Sequence, residues 1–83
     1  MSLYQVDKLL FQLFNDLDLQ HQYKQNAAAV LQRYDLQDNE LEALREVNAG
    51  ELYRMGAHSF LLWQFARMMD LSPAVYFKQV RGA

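Results

Sequence analysis

The chain contains no Ile and no Thr, and Val, present five times, is its only β-branched residue. Sheets are built from β-branched and aromatic side chains packed on a pleated surface. Here Leu, Ala, Gln, Glu, Lys, Arg and Met dominate instead. These residues lose little or no side-chain freedom in a helix. Only three Gly and one Pro interrupt the chain. An all-α fold follows, and 83 residues make a single domain over 1–83. The spacing of apolar residues divides it into about five to six short helices, which implies a small orthogonal bundle.

Leu3, Val6, Leu10, Leu13 and Leu17 recur at steps of three and four, so a first helix is expected from Ser2 to about Asn15 with that stripe inward. Leu9 and Phe14 widen the stripe. Ser2 with Gln5 fits a capping box. Asp16 to Gln25 is polar and could hold a short helix around Leu19 to Tyr23. Asn26 suits an N-cap for Ala27 to Tyr34, which buries Val30, Leu31 and Tyr34. Asp38 to Val47 follows, with Leu41, Leu44 and Val47 inward and Asp38, Glu40 and Glu42 favoured by the helix dipole. After a break at 48–50, Glu51 to Met55 forms a short helix closed by a left-handed Gly56. His58 and Ser59 open the most apolar helix, Phe60 to Leu71, in which only Gln64, Arg67 and Asp70 are polar. Ser72 and Pro73 start the last one, with Val75, Tyr76, Phe77 and Val80 on Ala74 to Val80.

Charge and composition exclude several classes. The net charge of −2 and the scattered eight basic residues give no electrostatic footprint for nucleic acid or for an anionic membrane. A helix-turn-helix drawn over Asp38 to Met55 would offer the phosphates Glu51, Tyr53 and Arg54, a poor set. Without cysteine there is no disulfide, thiol nucleophile or thiolate metal site. No signal peptide is visible, and the longest apolar run, Phe60 to Trp63, is far too short to span a bilayer. A soluble, cytoplasmic protein is expected.

No catalytic constellation emerges. His21 and His58 are distant in sequence and lack the spacing of a metal-binding pair, so no metal or cofactor is expected in this chain. His58 and Ser59 are adjacent and do not form a nucleophile–base pair, and no nucleophile elbow surrounds the serine. Asp16-Leu17-Asp18 lacks the glycine and closing glutamate of a calcium loop. The more informative feature is the apolar fraction, 52% of a chain whose small size limits its core. Some large apolar residues must remain at the surface, and clustered ones mark an interaction site. Trp63 and Arg67 lie four apart on one helix face beside Gln64, residue types that anchor interfaces. The corner at Gly56, His58 and Ser59 presents backbone N–H groups at a helix start, which suits an acidic group.

The segment Leu52-Tyr53-Arg54-Met55-Gly56-Ala57-His58-Ser59-Phe60-Leu61-Leu62 resembles the motif L-Y-x-x-G-x-H-P-x-L-L of the small (α) subunit of protocatechuate 4,5-dioxygenase, the LigA-type family. Val30-Leu31-Gln32-Arg33-Tyr34-Asp35-Leu36, followed by Glu40, is similar to that family's V-L-x-x-Y-G-L-T-x-x-E. Ser59 replaces Pro, and Gln37 replaces Thr. The resemblance runs over about residues 3 to 71. It implies a non-catalytic helical cap on a separate large subunit. That large subunit holds iron through two His and one Glu and opens the ring of a catechol-like acid. No ligand carries over to His21 or His58. The expected partner-binding residues are Tyr53, Gly56, His58, Ser59, Phe60, Leu61, Trp63 and Arg67. The family's extra terminal segments are not evident here, which leaves a stand-alone helical interaction module, or a small self-associating protein, as the alternative.

Overall fold

Helix boundaries in this chain are set by side-chain caps. Asp16 Oδ1 accepts the Leu19 N–H at 3.1 Å, Asn26 Oδ1 that of Ala29 at 3.2 Å, Asn48 Oδ1 that of Glu51 at 3.1 Å, and Ser72 Oγ that of Val75 at 3.2 Å. Each satisfies a backbone donor that the first helical turn leaves free. A computed structural model describes residues 2–82, the side chains of Ser2 and Leu3 excepted. The expected Ser2 cap and the packing of Leu3 lie outside what is described.

Seven helices are present among the described residues, more than the five to six expected: α1 Ser2–Asn15, α2 Leu17–Gln25, α3 Ala27–Leu31, α4 Asp38–Arg45, α5 Ala49–Met55, α6 Ser59–Met68 and α7 Pro73–Arg81. The additional one is α2. Its polar sequence obscures it, yet Leu19 and Tyr23, four apart, give it a buried edge. Two expectations need correcting at the α1–α2 junction. Asp16 breaks the helix, so Leu17 does not continue the α1 stripe and is 72% exposed. Phe14 stands at the edge of the stripe, open to solvent. At α3 the helix stops at Leu31, and Tyr34 is half-buried in the turn beyond. Glu40 is buried rather than displayed, because its Oε1 accepts the Gln37 N–H at 2.8 Å.

Three helices end alike. The N–H of Asn48 returns to the Ala43 carbonyl, that of Ala57 to Leu52 and that of Leu71 to Ala66, at 2.8, 3.1 and 2.9 Å. This closure requires a left-handed residue one position earlier. Gly56 supplies it after α5, Asp70 (φ 61°) after α6, and Val47 (φ 53°) after α4. The turn at Asp70 stops α6 at Met68, short of the expected Leu71.

The core runs through all seven helices, with Val6, Leu9, Leu10 and Leu13 of α1 facing Leu61, Leu62, Phe65 and Ala66 of α6. Tyr23 of α2 packs edge-on against Phe65, with ring centres 5.8 Å apart. α5 and α7 approach closely at Gly50. A Cβ on Gly50 would lie 2.6 Å from the Gln79 carbonyl oxygen, and the Gln79 side chain accepts the Ala49 N–H at 3.0 Å. Only glycine permits that approach. The whole measures 30 × 26 × 18 Å, and no helix among the described residues is long and apolar enough to cross a membrane.

Candidate functional site

The corner between α5 and α6 begins with Gly56 at φ 101°, ψ 18°. His58 then takes an extended conformation and becomes the N-cap of α6, with no capping bond from its ring. The sequence suggests that this corner is open to an acidic group from outside. The structure corrects that in part: Asp7 of α1 already accepts the His58 N–H, at 3.0 Å. The corner is thus a joint between α1 and α6, and Gly56, His58 and Ser59 shape it.

From this joint α6 turns Leu61, Leu62, Phe65 and Ala66 into the core. The helical period puts Phe60, Trp63, Gln64 and Arg67 on the opposite side. Leu61 is buried and supports this face from beneath instead of forming it. Phe60 is 51% exposed, Trp63 is half-buried and Arg67 is exposed.

The face is wider than α6. Phe14 of α1 meets Phe60 edge-on, with ring centres 5.4 Å apart and planes at 84°. On the other flank Trp63 stacks on Phe77 of α7 at 5.6 Å and 24°, and meets Tyr76 edge-on at 4.9 Å. Such pairs hold rings in fixed orientations. Four large rings from three helices thus lie along the outer side of α6 as a band of two pairs, Phe14–Phe60 and Trp63–Phe77, each partly open. Tyr53, exposed on α5, adjoins it through Tyr76. Burial raises the pKa of Tyr76, and Tyr53 close by raises it further. Sequence reasoning grouped Tyr53, Phe60, Trp63 and Arg67 but missed Phe14, assigned to the core stripe of α1. It reached Tyr76 and Phe77 only as an end of the last helix, not as the support of Trp63.

Two ion pairs occur among the described residues, Lys24–Asp70 at 3.8 Å and Glu51–Arg54 at 2.7 Å. Arg67 takes part in neither. The histidines do not converge. His21 sits on the exposed side of α2 and His58 at the start of α6, and no group of three or more His, Asp or Glu among the described residues could hold a metal ion. The two-His, one-carboxylate set of a non-haem iron centre does not fit these residues.

No curated protein and no solved structure matches the sequence. One family does match, the LigA subunit of the aromatic-ring-opening dioxygenase LigAB, over residues 6–83. The match extends past the 3–71 stretch of motif resemblance to include α7. The chain belongs to this LigA family of aromatic-ring-opening dioxygenase small subunits.

Proposed function

We propose that this protein is a non-catalytic accessory subunit that docks on a separate, iron-bearing large subunit of an extradiol-type dioxygenase and helps close its active site. The observation that carries the reading is the aromatic band, above all Phe60, left half-open and braced by Phe14. Aromatic residues and arginine are enriched at protein interfaces, and exposed apolar clusters mark them. Docking at this band would use Tyr53, Phe60, Trp63 and Arg67 directly, with the Gly56–His58–Ser59 corner and Leu61 holding them in place.

Co-expression with the large subunit tests this. The two chains are expected to co-purify, and Phe60→Glu to abolish co-purification and ring-opening activity while the helical circular dichroism of the small subunit is retained. Failure of the unmodified chain to co-purify, or a complex indifferent to Phe60→Glu, would refute it. A second reading, self-association, draws support from Tyr4, Phe11 and Leu17, which are 65%, 57% and 72% exposed on α1 and α2. A sedimentation experiment showing a dimer that Phe11→Glu dissolves would favour that alternative.

A further inference from the structure

Among the described residues, two side-chain hydrogen bonds join more distant parts of the chain than any others. Asp7 accepts the His58 N–H across 51 residues, and Gln79 accepts the Ala49 N–H across 30. Both carriers are only half-buried and add no apolar side chain to the core. Each bond instead ties together helices that carry one of the two aromatic pairs.

Asp7 and Phe14 stand seven residues apart on the same side of α1, about 10 Å along its axis. Both reach the start of α6: Asp7 holds the N-cap residue His58, and Phe14 meets Phe60, the second residue of the helix. Two holds on one helical turn fix the direction in which α6 leaves its corner. The Asp7 carboxylate is also a favourable charge at a helix N-terminus that its own N-cap side chain leaves without a bond. On the other flank, Gln79 lies three residues beyond Tyr76 and two beyond Phe77, the rings that hold Trp63. Its side chain bonds the first residue of α5 where α7 crosses Gly50. The position of α7, and with it that of Phe77 against Trp63, is set by this tie.

We infer that Asp7 and Gln79 are positioning residues for docking: without touching the large subunit, Asp7 sets the Phe14–Phe60 pair and Gln79 the Trp63–Phe77 pair. The inference rests on the accessory-subunit reading and adds to it the residues that hold the docking face in its binding geometry. A face held in that geometry binds at its intrinsic affinity, and a loosened one binds in proportion to the fraction still in place.

The test uses separately purified small and large subunits, with affinity measured by calorimetry well below the melting temperature of every variant. Asp7→Ala and Gln79→Met remove the acceptors and are each expected to weaken binding by roughly threefold to tenfold, with helical circular dichroism retained. The two ties share no residue, so the double variant should lose the product of the two factors. Asp7→Asn and Gln79→Glu keep an acceptor oxygen of similar reach and should bind within about twofold of wild type. A direct charge contact between Asp7 and the partner would be lost in Asp7→Asn as fully as in Asp7→Ala, and that result would overturn the inference. Fluorescence of Trp63, the only tryptophan, separates the halves: Gln79→Met should shift it in the free small subunit and Asp7→Ala should not. If the wild-type subunits bind and Phe60→Glu abolishes binding, but Asp7→Ala and Gln79→Met bind as wild type does, the positioning roles fall while the accessory-subunit reading stands. If the wild-type subunits do not bind, both fall.

Discussion

Replacing Tyr23 by Phe should make this protein more stable, and increasingly so at alkaline pH. Tyr23 is 1% exposed, and its hydroxyl has no hydrogen-bond partner. A buried polar group without a partner costs about 1–3 kcal/mol. Deleting the oxygen removes that cost and keeps the ring against Phe65. Against it stands a void of one atom, so the net gain expected at neutral pH is about 1 kcal/mol. Such a change raises the melting temperature of a domain this size by roughly 4–8 °C. Burial also pushes the Tyr23 pKa from 10.0 up to about 12. Between those values the native state keeps the proton that the unfolded state has released. The stability that the buried neutral phenol leaves intact below pH 10 is therefore lost as pH rises toward 12. One pKa unit corresponds to about 1.4 kcal/mol, so wild type should lose about 2–3 kcal/mol relative to Tyr23→Phe across that window. Urea unfolding monitored by Trp63 fluorescence at pH 7 and at steps above pH 9 measures both effects. A variant less stable than wild type at pH 7, with the difference constant to pH 12, would refute the reasoning and mean that the hydroxyl is hydrogen-bonded in solution.

Three further changes test the frame around the candidate site. Gly50→Ala forces a methyl group against the Gln79 carbonyl. It should destabilise by about 1–3 kcal/mol through overpacking, despite Ala's better helix propensity, and a shift in Trp63 fluorescence would report the displacement of α7. Val47 holds a left-handed backbone that costs a β-branched residue roughly 1–2 kcal/mol. Val47→Gly should therefore be more stable than Val47→Ala in thermal melts, the reverse of the order inside a helix. Asp7→Ala removes the acceptor for the His58 N–H and should cost about 1 kcal/mol. Hydrogen exchange at His58 should rise sharply, and no change there would show that the joint does not form.

The parts of this fold that can be read from the sequence are those decided within a few residues. The stripe of Val6, Leu10 and Leu13 marks α1, Asn26 and Ser72 are caps wherever they stand, and Gly56 ends its helix by its own conformational freedom. Leu17 misleads because it keeps the α1 period across a break made by Asp16, whose capping role competes with that period. The candidate site is legible only along α6. The spacing that puts Phe60, Trp63 and Arg67 on one side is local, whereas the pairing of Phe14 with Phe60 depends on how α1 lies against α6. Nothing in the sequence near His58 points to Asp7, 51 residues earlier.

That same span between Asp7 and His58 has a consequence for biosynthesis. α1 is synthesised well before α6, the helix it must pack against, with four other helices between them in the chain. Until α6 arrives, Val6, Leu9, Leu10 and Leu13 have lost their main partner surface while Tyr4, Phe11 and Phe14 are open in any case. The nascent first helix therefore shows its whole core stripe to solvent together with Tyr4, Phe11 and Phe14. Closing the long loop that brings it home adds an entropic barrier, which delays contacts of high sequence separation relative to local ones such as those between α5 and α6. The half-made chain should be the aggregation-prone and chaperone-dependent form of this protein. Ribosome-bound chains stalled before residue 59 should bind holdase chaperones through the α1 segment, and chains released past residue 68 should not.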